Sequence, residues 1–225
     1  MSERFIRIEK LLGKSALSKL KNSRVAVFGA GGVGGYAIEA LIRSGLGAID
    51  IIDKDVIEES NINRQIIATN KTIGMDKVDV MRDRILSINP ECKVAVHKVF
   101  FLPETSNIFD FKNYDYVIDA IDTVKGKVEL IKKANDESVK IISSMGAGNK
   151  LNPMKFEVTD IYKTSVCPLA RIMRAELKKI GIKKLRVVYS KETPIKTQDF
   201  VGSSAFCAPA MGLIIAHEVV MDLIK

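Results

Sequence analysis

Tryptophan is absent, histidine occurs twice, and the three cysteines (Cys92, Cys167 and Cys207) form no C-x-x-C pair. An odd, scattered set of cysteines excludes a disulfide framework, and no zinc site of the usual ligand spacing is legible. Reduced thiols suit the cytoplasm, which is the expected location. Long apolar runs are lacking too. The longest, at 205–216, is well short of the roughly 20 residues of a membrane-spanning helix and gives way to His217 and Glu218. The opening residues, Met1-Ser-Glu-Arg-Phe-Ile-Arg7, contain no apolar segment of the kind a signal peptide needs, so none is expected. Internal repeats and low-complexity linkers are likewise missing, which argues against collagen-like or disordered chains.

What is present suits a globular chain with a sizeable core. Of 225 residues, 47% are hydrophobic and 28% charged, and 35 basic against 27 acidic side chains leave +8 at pH 7. That excess favours polyanionic partners. The length allows one domain with an elaborated edge or two small ones. The first twenty residues read as one amphipathic helix, with Ile8, Leu11 and Leu12 on one side and Leu17 and Leu20 following. Strands are expected at 24–28 (RVAVF), 48–53 (AIDIID), 93–99, 116–121 and 140–143. Helices are expected at 36–43, at 76–88 (stopped by Asn89-Pro90) and at 124–135. Near-continuous apolar strands alternating with helices make a parallel sheet covered on both faces. The fold class is therefore α/β: a Rossmann-like, doubly wound, mainly parallel sheet with an antiparallel C-terminal extension. Its core spans about 22–145, and the tail at 146–225 is expected to pack on the same sheet, making 1–225 one domain.

Gly29-Ala-Gly31-Gly-Val-Gly34 follows a strand and opens a helix. In that context the glycines serve a tight turn, close approach of backbone amides to phosphate, and close helix–strand packing. A helix N-terminus then offers N–H groups to an anion. Asp53, ending the second strand, suits a ribose hydroxyl. Further along come Asn61-Ile-Asn63-Arg64-Gln65 and Gly74-Met-Asp-Lys77. Arg64 can grip phosphate oxygens bidentately, and Lys77 supplies a point charge. Asp122, just past a strand end, sits where doubly wound sheets place ligands and has the chemistry to hold Mg²⁺. Cations and a metal carboxylate around a glycine loop favour ATP over a dinucleotide.

These motifs, with the D-x-x-D at Asp119–Asp122, resemble the adenylating domain of the ubiquitin-activating-enzyme-like superfamily, which includes the ThiF, MoeB and HesA proteins. The resemblance implies that the glycine loop cradles phosphate, Asp53 and Asp55 take the ribose, and Asn61, Arg64 and Lys77 hold the triphosphate. It also implies that Asp122 holds magnesium. Arg4-Phe5-Ile6-Arg7 is similar to that group's R-[YF]-x-R, whose second arginine reaches the partner's ATP; Arg7 is thus assigned across a homodimer. Attack of a carboxylate on the α-phosphorus builds charge that fixed cations stabilise.

Branches of the superfamily differ after this core. A thioester cysteine or two C-x-x-C pairs would mark other branches. Cys167, beside Pro168, is either a nucleophile at a helix start or a small packing residue, whereas Cys92 and Cys207 sit in apolar company. His97 and His217 read as structural. The tail instead carries Gly146-Ala-Gly148, Asn152-Pro153, Val158-Thr-Asp-Ile161 and Thr164-x-x-x-Pro168-Leu-Ala170, which resemble the tRNA threonylcarbamoyladenosine dehydratases. It departs from their pattern at position 167, where this chain has cysteine and theirs an acidic residue, and in a short segment between Glu192 and Gly202. The implied reaction is ATP-dependent cyclisation of that nucleoside in tRNA. The alternative is activation of a ubiquitin-like sulfur carrier, and the resemblance also admits a cysteine desulfurase or sulfur-acceptor system as partner. Residues 171–186 hold seven basic side chains against one acidic. Arg171, Arg174 and Lys178, with Lys179 alongside, form a helical stripe suited to tRNA phosphates, while Leu169, Ile172, Met173 and Leu177 are expected to face the core.

Overall fold

A computed structural model describes residues 3–198 and 200–225. Met1 and Ser2, part of the stretch read for a leader, lie outside the described residues, as does Asp199. Seven strands form one sheet in the order β3-β2-β1-β4-β5-β7-β6. They are β1 (Arg24–Phe28), β2 (Ala48–Ile52), β3 (Lys93–His97), β4 (Tyr116–Asp119), β5 (Ile141–Ser144), β6 (Phe156–Asp160) and β7 (Arg186–Ser190). Every neighbouring pair is parallel except β6 with β7. The parallel core and its antiparallel C-terminal edge agree with the sequence reading.

Alternation along each strand explains why these segments are apolar throughout. Val25 and Val27 enter one core layer, and Ala26 and Phe28 the opposite one. The first layer is closed by helices α2 (Lys14–Asn22), α3 (Gly34–Arg43), α4 (Lys77–Ile88) and α7 (Cys207–Leu223). The second is closed by α5 (Val124–Asp136), α6 (Pro168–Lys179) and a cluster of Phe28, Phe101, Phe109 and Phe111. The apolar run at 205–216 is thus core: α7 lies so close to α3 that a Cβ on Gly212 would sit 2.2 Å from the Val33 carbonyl oxygen. Among the described residues no helix is long and apolar enough to cross a membrane.

Several boundaries differ from the sequence reading. The N-terminal helix is two, α1 (Ile6–Leu12) and α2, separated by Gly13 at φ 89°. A glycine adopts that left-handed backbone without steric cost, so apolar periodicity continues across a real break. β3 ends at His97 and β4 at Asp119, because the residues beyond them turn towards the ligand side.

Within β2, Asp50 receives Arg24 at 2.8 Å, His97 at 2.9 Å and the Tyr114 hydroxyl at 3.1 Å. Burial by itself raises the Asp50 pKa, but hydrogen bonds and charge from His97 and Arg24 outweigh it and hold the carboxyl below its ordinary 3.8. A depressed folded-state pKa contributes stability above the unfolded value, lost as pH falls through the folded one. Asp50→Asn should therefore destabilise by about 2 kcal/mol at neutral pH, with the difference shrinking below about pH 4. Urea denaturation of both proteins across pH 3–7 checks this; a pH-independent difference would contradict it.

Candidate functional site

The strand order reverses between β1 and β4, and a doubly wound sheet opens a ligand crevice at such a point, outside the carboxyl ends of its strands. A cavity of about 740 Å³ lies there, lined by Gly29, Gly31, Asp53, Asp55, Asn61, Arg64, Lys77 and Asp122. Five sequence segments, spread from residue 29 to residue 122, thus meet at one place. The volume is within the range of small-molecule sites.

The glycine loop is shaped by contacts that a side chain would destroy. Gly29 has φ 95°, and a Cβ there would stand 2.6 Å from the Ala120 carbonyl oxygen. A Cβ on Gly34 would fall 1.8 Å from the Gly29 carbonyl oxygen, so Gly34 does not line the cavity but lets α3 pack against the turn. At Gly31 the nearest heavy atom to such a Cβ is 3.8 Å away, which leaves the backbone open to the cavity. No side chain caps α3, so its N-terminal amides keep their positive field for an anion.

Asp53 ties two backbone segments together. One carboxylate oxygen accepts the Ala30 amide at 2.8 Å and the other the Asp55 amide at 2.9 Å, which locks the glycine loop to the end of β2. Asp55 in turn pairs with the buried Lys77 at 2.9 Å. Asn61 closes a capping box with Glu58 that builds the short turn bearing Arg64, whose guanidinium bonds the Ser60 carbonyl and Asn63 at 2.8 Å each. Arg64 is thereby pre-oriented at the cavity wall. Asp122 projects from the exposed turn after β4.

Gln65 was part of the quoted motif without a role of its own. It lines the cavity, and its buried Oε1 is one of two buried side-chain oxygens lacking a hydrogen-bond partner among the described residues. An orphaned amide beside the glycine loop fits a ligand-completed site, since buried polar groups are normally paired. A second missed feature is the segment after β7. Val201 and Ser203 reach the cavity, held by Asn63 donating to the Ser203 carbonyl at 3.0 Å and by the Gly202 carbonyl accepting the Asn149 amide at 2.7 Å. Nothing in local sequence pattern links residues so far apart.

Arg7 lies exposed on α1 and does not line this cavity. On α6, Arg171 and Lys178 are exposed; Arg174 hydrogen-bonds the Thr164 carbonyl at 3.0 Å, and Lys179 pairs with Glu176 at 2.7 Å. Ile172, expected in the core, is instead exposed, because Ala170, Met173 and Leu177 already fill the narrow buried stripe. Arg186 is taken up by Asp222 and Glu218 on α7. Cys167 is buried with Met145, Ile161 and Ala170 and is not among the cavity-lining residues. Burial raises the Cys92 thiol to about 11, and Cys207 bonds the Lys150 carbonyl at 3.2 Å. Among the described residues no group of three or more His, Cys, Asp or Glu is placed to hold a metal unaided.

Known proteins resemble this chain in sequence and in fold. The chain is 44% identical to tRNA threonylcarbamoyladenosine dehydratase of Bacillus subtilis, in an alignment covering 100% of this chain and 96% of that protein. The Haemophilus influenzae protein of the same name is 41% identical over 79% of this chain and 68% of its own. Crystal structures of Escherichia coli tRNA N6-threonylcarbamoyladenosine dehydratase, TcdA, superpose with TM-scores of 0.94 in complex with AMP and 0.93 in complex with ATP. They are 35% and 34% identical, and each match covers 98% of this chain and at least 93% of the other. The sequence pattern of the ThiF family matches residues 3–224, and with these likenesses the chain belongs to the ThiF family.

Proposed function

We propose that this chain, acting as a single domain, is an ATP-dependent tRNA-modifying enzyme that dehydrates threonylcarbamoyladenosine to its cyclic form. The observation that carries the reading is the one cavity in which the glycine loop, Asn61, Arg64, Lys77 and Asp122 converge. In this reading the loop amides cradle phosphate, and Asp53 and Asp55 meet the ribose. Arg64 and Lys77 neutralise charge, with Asn61 offering amide hydrogen bonds, as a carboxylate of the modified nucleoside attacks the α-phosphorus and pyrophosphate departs. An atom of the same modification then displaces AMP and closes the ring, so no enzyme nucleophile is required, in keeping with a Cys167 outside the cavity.

The donor set fits magnesium held by one carboxylate, Asp122, together with phosphate oxygens and water, the usual habit of that ion. When bound, Mg²⁺ supplies charge neutralisation to the phosphates. A homodimer would bring Arg7 to the partner's phosphates, and three free cysteines suit a cytoplasmic enzyme. A sulfur-transfer partner is compatible with this reading but is not needed for it. AMP should accumulate only when ATP, Mg²⁺ and tRNA bearing threonylcarbamoyladenosine are all present; equal AMP with tRNA lacking the modification would count against the reading.

The exposed α6 cations are assigned to tRNA phosphates. Reversing Arg171 and Lys178 to Glu should weaken tRNA binding and flatten its log–log salt dependence by about 1.5, at roughly 0.7–0.9 per lost phosphate contact. ATP affinity should hold. An unchanged salt slope in a filter-binding titration would leave the stripe as a solvated face.

A further inference from the structure

Behind the cavity lies an ion pair that none of these steps uses. Lys127 on α5 and Asp119 at the end of β4 have side chains 0% exposed, with Nζ 3.0 Å from Oδ1. The same ammonium donates to the Ile121 carbonyl oxygen at 2.9 Å. Ser143, the register partner of Asp119 on β5, donates to the other carboxylate oxygen.

Burying two charges is a poor route to stability. Desolvation offsets most of the attraction, and an apolar pair of similar volume often does as well or better. Such a pair can instead supply position. Lys127 ties the last residue of β4 to the carbonyl immediately before Asp122, closing the turn at 120–122 against α5. The other end of that turn is fixed to the glycine loop. The Ala120 amide donates to the Phe28 carbonyl at 2.8 Å, and the Ala120 carbonyl packs where a Cβ on Gly29 would be. Asp122 therefore stands, exposed, on a turn anchored on both sides.

We infer that Lys127, held by Asp119 and Ser143, is a positioning residue that fixes where the Asp122 carboxylate meets the metal of a bound metal–nucleotide. The inference rests on the functional reading above. It assigns the buried pair a role in magnesium use rather than in nucleotide affinity as such, because Arg64 is held by Ser60 and Asn63, and Lys77 by Asp55, not by the Ile121 carbonyl.

Calorimetry of the full-length protein with ATP, with and without Mg²⁺, tests it. The quantity read is the magnesium-linked gain, the ratio of the two ATP affinities. The double variant D119N/K127M removes both charges together, so its melting temperature should stay within about 5 °C of the parent. Its affinity for metal-free ATP should stay within about threefold, since the phosphate-binding groups lie elsewhere. The magnesium-linked gain should fall about tenfold, the scale of losing a group that orients a metal ligand. Ser143→Ala, a gentler change that keeps both charges, should lower the gain about threefold and serves if the double variant does not fold. A gain equal to the parent's in either folded variant overturns the inference while leaving the functional reading intact. A parent protein whose ATP affinity ignores magnesium overturns both.

Discussion

Asp122→Ala is expected to lower AMP formation roughly 10³-fold, because metal-borne stabilisation of transition-state charge is worth several kcal/mol. Melting should move little. Asp122 is exposed at the cavity edge, and truncating such a surface side chain typically changes stability by about 0.5 kcal/mol or less. The combination discriminates between roles. A structural carboxylate would lose stability and activity together, whereas a metal carboxylate loses activity alone. Coupled AMP detection with the modified tRNA, alongside a thermal melt, makes the measurement, and near-parental turnover would remove Asp122 from the metal site.

Arg7→Ala is expected to lose at least about 100-fold in turnover, the scale of removing one charge-stabilising donor. More telling is a mixture of this variant with Asp122→Ala. If Arg7 serves the partner's cavity, a mixed dimer has one site with both defects and one with neither. Random exchange of equal amounts places mixed pairs in half of all dimers, so about a quarter of parental activity should return in a two-fold symmetric assembly. Absence of recovery after exchange is verified by native mass spectrometry would mean that Arg7 acts within its own chain or not at all. The reason to expect the crossed arrangement is the resemblance of Arg4–Arg7 to the R-[YF]-x-R segment; in its own chain Arg7 is exposed on α1 and is not among the cavity-lining residues.

How much was legible in sequence follows from the range of the interactions. The β1–glycine loop–α3 unit is local: an apolar strand, G-x-G-x-x-G and a helix within twenty residues, each constraining the next. Asp122 was legible because strand ends in a doubly wound sheet face the ligand side. The buried pair of Lys127 with Asp119 was not, since lysine is ordinarily a surface residue and only the packed layers reveal a lysine at 0% exposure. Placement of β7 beside β5 was equally hidden, because the two strands are separated by β6 and α6. On α6 the basic stripe was visible but its availability was not. Arg174 and Lys179 turned out to bond Thr164 and Glu176, contacts that charge counting cannot see.

The most direct test is nucleoside mass spectrometry. tRNA bearing threonylcarbamoyladenosine is incubated with the protein, ATP and Mg²⁺, digested under mild conditions and compared with samples lacking ATP. The account predicts ATP-dependent conversion of the nucleoside to a species lighter by one water, with AMP formed in equal amount. An unchanged nucleoside under conditions where the protein binds ATP would contradict it.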